Sequence, residues 1–89
     1  MGLLVAACDE DLLGKVIEER EKGLRVYVSP DFYKGELKTP EEVVDVLMKA
    51  DMANLVGEEV VHLAIASGLI HKEAVLNIRG IPLAYFMRI

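Results

Sequence analysis

The sequence has few of the residues that would declare a chemistry. Its one cysteine, Cys8, has no partner for an internal disulfide, so nothing points to secretion. It has no glutamine and two asparagines beside abundant Glu and Val, a scarcity of thermolabile side chains that hints at a heat-adapted source. It has no basic excess. The net charge is −5, with 11 acids and 6 bases over residues 1–45 and 4 of each over 46–89. A nucleic-acid binder usually carries a basic field, so RNA is disfavoured as a partner, although a local basic patch stays open. No apolar run is long enough to cross a membrane. The run Leu3 to Cys8 also lacks the preceding positive charge of a signal peptide. Met1-Gly2 is followed by Ala6 where myristoylation needs Ser or Thr. A cytoplasmic protein without a membrane partner is expected. There is no internal repeat, linker or low-complexity tract.

What is present is apolar residue, 53% of an 89-residue chain, which argues against disorder and fits one domain over residues 1–89. Leu3 to Ala7 lacks polar alternation and reads as a strand covered on both faces. Asp9 is a plausible N-cap for a following helix, with Glu10 and Asp11 in its first turn. Leu12, Leu13, Val16 and Ile17 fit one face of that helix, and Asp11–Lys15 and Glu18–Lys22 are i,i+4 pairs. Gly14 opposes it, and Val16-Ile17 also suit an extended segment; the favoured expectation is a short helix. After Gly23, Leu24 to Val28 alternates as a strand with Leu24, Val26 and Val28 inward and Arg25 and Tyr27 outward. Ser29-Pro30-Asp31 is a turn.

Thr39-Pro40-Glu41-Glu42 predicts a helix start, with Thr39 as N-cap and Glu42 closing a capping box. Val43, Val44, Val46, Leu47 and Ala50 form its buried face. The stretch Asp51 to Glu59 reads as a turn between two packed helices, with Asn54 capping the second by accepting from Val56 or Gly57. Val60, Val61, Ala64 and Ile65 face the core, and Gly68 suits the position just past the helix end. Val75 to Ile78 and Ile81 to Ile89 predict a hairpin turning at Arg79-Gly80, with Pro82 placing the last strand's start at an edge or a bulge. The expected fold is a small α/β or α+β domain in the order β-α-β-α-α-β-β. Leu4, Val5, Val26, Val28, Val44, Leu47, Val60, Ala64 and Ile78 are its expected core.

Three stretches resemble a small archaeal domain-of-unknown-function family: Ala7 to Lys15, Phe32-Tyr33-Lys34-Gly35-Glu36, and Ala53-Asn54-Leu55-Val56-Gly57-Glu58. The closing Ile78-Arg79-Gly80-Ile81-Pro82 agrees as well. Relatives often carry His after that proline; here the residue is Leu83. The resemblance implies an archaeal cytoplasmic protein and no established activity.

Candidate chemistry is sparse. Cys8 ends a strand before a helix start, where a thiol can be activated, but the three carboxylates after it oppose a thiolate. Asp9 and Lys15 are the other weak catalytic candidates. Asp9, Glu10 and Asp11, with Glu36, offer oxygen ligands, but three consecutive acids cannot converge on one ion from a regular helix, so no metal is expected. His62 and His71 lack zinc spacing with each other or with Cys8. Gly14, Gly35 and Gly57 form no phosphate cradle, and no cofactor is expected. The aromatics are more suggestive: Tyr27, Phe32 and Tyr33 lie close in the chain, with Arg25, Lys34 and Lys38 nearby. Such a patch could stack bases or dock a peptide, and it could equally just cover the core edge. Glu36, Asn54 and Glu58 complete the candidate binding set. With no nucleophile–base–orienter set in view, the expectation is a non-catalytic module binding a protein or ribonucleoprotein, translation-related by analogy. The alternative is a small enzyme using Cys8 and its neighbouring carboxylates. A homo-oligomer also fits.

Overall fold

The computed structural model describes residues 2–33, 35 and 37–88. Its centre is a four-stranded sheet. The apolar run from the N-terminus forms β1 (Leu4–Cys8), which pairs in parallel with β4 (Met52–Val56) from Leu4 opposite Met52 to Cys8 opposite Val56. Strand β4 pairs antiparallel with β6 (Ile81–Met87), and β6 with β5 (Leu76–Ile78), so the order is β1-β4-β6-β5. Arg79 and Gly80, at φ +50° and +82°, make the two-residue hairpin turn expected between β5 and β6. A second, two-stranded sheet pairs β2 (Val16–Glu19) with β3 (Leu24–Tyr27).

The sheet's two faces have different covers. Pairing puts Val5, Ala7, Ala53, Leu55, Ala84 and Phe86 on one face. There they pack against α1 (Pro40–Lys49) and α2 (Glu58–Ala66), with Leu47, Val60, Val61 and Ala64 at the centre. Full burial of a side chain such as Leu47 stabilises by roughly 1.5–3 kcal/mol. On the other face, the β2–β3 hairpin covers the end carrying Cys8, Val56, Ile78 and Leu83, burying Leu12, Ile17 and Val28 beneath it. The opposite end of that face is open. Leu4, Tyr85 and Met87 there are about half exposed, with Met52 and Asn54 partly so.

The mixed domain and its C-terminal hairpin agree with expectation, and local signals fared best. Thr39 caps α1 with a complete capping box: the Glu42 N–H donates to Thr39 Oγ1 at 3.2 Å, and the Thr39 N–H donates to Glu42 Oε1 at 2.9 Å. Helix α2 ends with Gly68 at φ +77°, and the bonds Gly68 N–H to Ile65 O (3.0 Å) and Leu69 N–H to Ala64 O (2.9 Å) complete a Schellman motif. In β3, Leu24 and Val26 face in while Arg25 and Tyr27 face out.

Four expectations change. Met52–Val56 is not a turn but the central strand β4, so Asn54 caps no helix; Gly57 stands at the N-cap of α2. Val16–Glu19 is the strand β2 rather than a helix, because Gly14 at φ +84° breaks the helical path and β3 supplies a ladder. Its acids follow the new geometry: Lys22 lies 3.4 Å from Glu19, and Arg20 lies 3.6 Å from Glu18. Strand β1, expected to be covered on both faces, lies at the sheet's edge with one end of its second face open, so Leu4 is 47% exposed where a core residue was expected. Val28, Leu47, Val60, Ala64 and Ile78 are buried, while Val5, Val26 and Val44 are partly so. Strand β6 is interior, and Pro82 sits one residue inside its start, just past the paired part of β4; there its carbonyl accepts from Gly57 N–H at 2.9 Å. No helix among the described residues is long and apolar enough to cross a membrane.

Candidate functional site: a groove along the edge of the sheet

A concavity of about 490 Å³ follows the outer edge of β1. Its floor is β1 itself. One wall is apolar, from Val43, Val46 and Leu63 of the two helices; the other includes Leu13, Tyr33 and Leu37. The backbone of β1 is directional here. Leu3 O accepts from Met52 N–H at 3.1 Å, and Asp9 N–H donates to Val56 O at 3.0 Å, so the odd-numbered residues bond to β4. Within a strand, the N–H and C=O of successive residues point to opposite sides. Leu4, Ala6 and Cys8 therefore turn theirs toward the groove, and among the described residues no strand pairs with that edge.

The carboxyl end of the groove is built by a long-range cap. Asp9 accepts from Glu59 N–H through Oδ2 and from Val60 N–H through Oδ1, both at 3.0 Å. This satisfies two of the amides that α2 leaves unpaired at its start. Gly57, at φ +120°, makes the fit possible, since a Cβ there would fall 2.6 Å from Asp9 Oδ2. Glu10 and Glu59 flank the capped Asp9 and leave an acidic rim. Cys8 lies beside it. Burial first, then the charges of Asp9 and Asp11, push its thiol above the usual range, the reverse of an activated nucleophile. The Tyr33 hydroxyl is pushed up by burial and then by Cys8.

The structure brings Cys8, Asp9 and Tyr33 together in the groove and scatters the other candidates. Phe32 is half exposed and meets Tyr33 edge to face, with centroids 5.0 Å apart. Arg25 and Tyr27 lie on the outer face of β3, opposite Glu18 and Val16. Tyr33 packs toward the core beneath the hairpin while Tyr27 points away, so the two do not form one stacking platform. Asn54 lies on the open face of the sheet opposite Tyr85. Glu58 lines a separate shallow depression with His62, Lys72 and Asn77. Lys15 is exposed, and its carbonyl accepts from Val28 N–H at 2.9 Å, extending the hairpin ladder. Lys34 and Glu36 lie outside the described residues. No group of three or more His, Cys, Asp or Glu side chains among the described residues is placed to hold a metal ion. Sequence reasoning missed Leu37, Val43, Val46, Leu63 and Glu59. The helical ones look like ordinary core positions until the edge beside them is seen to be bare.

This is a small mixed domain, with two helices on one side of a four-stranded sheet and a grooved outer edge. It belongs to the family described as "Protein of unknown function (DUF424)", whose model matches residues 1–89. Among solved structures it is similar to an uncharacterized conserved protein from Methanopyrus kandleri, at 24% identity and a TM-score of 0.71, over 100% of this chain and 87% of that one. No curated protein matches the sequence.

Proposed function

We propose that this protein is a non-catalytic binding module of the archaeal cytoplasm that engages a protein, alone or within a ribonucleoprotein, through the groove beside β1. The observation that carries this reading is an apolar groove along a strand edge with outward-facing backbone groups. Such a surface offers contact area and hydrogen bonds without an acid–base pair. The thiol at its end is held protonated by burial and by neighbouring acids, which speaks against the alternative of an enzyme built on Cys8. A net charge of −5 opposes phosphate, and the separation of Tyr27 from Tyr33 removes the clearest stacking surface, so direct RNA binding is the weaker form of the proposal.

The test is capture from native lysate by the full chain and by a Leu4→Asp/Leu37→Asp variant. Both leucines are exposed, so the variant should fold. Proteins retained by the natural chain, lost by the variant and resistant to nuclease support a protein partner; loss on nuclease treatment moves the reading to a ribonucleoprotein. Retention equal on both baits defeats the groove. Rapid alkylation of Cys8 at neutral pH, with a reactivity pKa below that of a free thiol, would revive the enzyme.

A further inference from the structure

Resting on the binding-module reading, we infer that the groove takes an extended peptide segment of the partner, which adds as a fifth strand beside β1 and places a Lys or Arg against Glu10 and Glu59. The two edges of the sheet are treated differently. Strand β5 is a three-residue edge, too short to template much pairing. Strand β1 has five residues, Leu-Val-Ala-Ala-Cys, with no charge, proline or bulge to blunt it. Proteins normally protect such an edge, because its free N–H and C=O groups recruit strands. Here Leu4, Ala6 and Cys8 turn those groups into a groove with apolar walls, the geometry in which a strand gains main-chain bonds while alternate side chains fill pockets.

Charge selects the occupant. At the carboxyl end of β1 the Asp9 oxygens face the amides of α2, which leaves Glu10 and Glu59 as the exposed acids. Among the described lining residues the one base is Lys38, which is close enough to Glu42 to help hold that carboxyl below its usual range. A cation on the peptide is therefore attracted at one end of the groove. A second copy of this chain fits poorly. Antiparallel pairing of two β1 strands would bring each Glu10–Glu59 end against the end of the other copy where Asp51 accepts from Leu3 N–H, and each copy carries −5.

The probe is a phage-displayed library of random dodecapeptides selected against the full chain. Selected peptides should alternate apolar residues with a period of two and carry Lys or Arg toward one end. Titrated into isotope-labelled protein, a selected peptide should slow amide exchange at Leu4, Ala6 and Cys8, and leave Val5 and Ala7, already paired with β4, unchanged. Glu10→Gln with Glu59→Gln should weaken it about tenfold, the scale of two exposed ion pairs. The inference falls if no peptide is selected, if N-methylation of alternate peptide amides leaves binding intact, if the perturbed amides lie elsewhere, or if the free chain sediments as a dimer with those three amides already protected. If peptides fail while lysate proteins still require Leu4 and Leu37, strand addition is wrong and the binding module stands; if both fail, both fall.

Discussion

The two helices begin in opposite ways. Helix α1 is capped from within its own first turn, by Thr39 and Glu42, three residues apart. Helix α2 is capped from across the molecule: Asp9 lies 50 and 51 residues from the amides it accepts, and Gly57 has no side chain to offer. The first start should form wherever residues 39–42 are helical. The second exists only once β1 and β4 have paired, because that pairing sets Cys8 beside Val56 and so Asp9 beside the start of α2. Secondary structure at the second corner is thus a product of tertiary structure, and the groove's acidic end inherits that dependence.

The most direct way to break the contrast is Gly57→Ala. The added Cβ would strike the Asp9 carboxylate and stand at φ +120°, a conformation L residues rarely adopt. Loss of two bonds to a charged acceptor together with the strain predicts destabilisation on the order of 4 kcal/mol, a midpoint fall in urea with little change in m. Next comes Asp9→Ala, which leaves the amides of Glu59 and Val60 without their cap and should cost about 2 kcal/mol. The pair should be non-additive. In the Asp9→Ala background the clash is gone, so Gly57→Ala should cost less by about 1–2 kcal/mol. Strict additivity would mean that Asp9 and Gly57 do not act on one another.

What could be read from the sequence follows the same division. The capping box at Thr39, the Schellman end at Gly68, the Arg79-Gly80 turn and the alternation of Leu24 to Tyr27 are each encoded within a few residues, and each agrees with the structure. The strand Met52–Val56 was hidden because Asn54, a good cap by type, sits four residues before a true helix start, and short apolar runs suit strand and helix alike. Val16–Glu19 was hidden by acids and bases at helical spacing that in fact lie on a hairpin. At the site, Cys8, Asp9 and Tyr33 drew notice for their chemistry, yet the groove depends on β1 being an edge, and strand order is not written in any one segment.

Smaller effects sharpen the local side of the comparison. Thr39→Ala removes one capping bond and should cost about 1 kcal/mol, near half of the Asp9 change. The Thr39 N–H, and then the Thr39 hydroxyl, hold the Glu42 carboxyl below its usual range. A carboxyl with a lowered folded pKa contributes stability that is present above the unfolded value and lost as pH falls through the folded one. Stability should therefore decline over the acid range below the ordinary Glu pKa, and an NMR titration of Glu42 in Thr39→Ala should show its pKa moving up toward, without reaching, the free value, because the backbone bond persists. An unmoved pKa would mean that the hydroxyl does not stabilise the Glu42 carboxylate and acts only as acceptor for the Glu42 N–H.

The smallest expected effect is at Asn54, and it decides which residue starts α2. A residue of cap type four places before Glu58 predicts, by its chemistry alone, a loss of about 1 kcal/mol on Asn54→Ala. Its place in β4 predicts otherwise. Asn54 is flanked by Ala6 and Tyr85 on the open face, partly exposed, and among the described residues its side chain makes no hydrogen bond. Asn54→Ala should then fall within about 0.5 kcal/mol of the natural chain. Asn is also poorly suited to a strand, so Asn54→Val should stabilise by up to about 1 kcal/mol, through better packing against its cross-strand neighbours. A thermal or urea series over Asp9→Ala, Asn54→Ala and Asn54→Val separates the two origins of the helix. A loss at Asn54 comparable to that at Asp9 would return the cap to its own neighbourhood. A loss at Asp9 alone leaves α2 started from the end of β1.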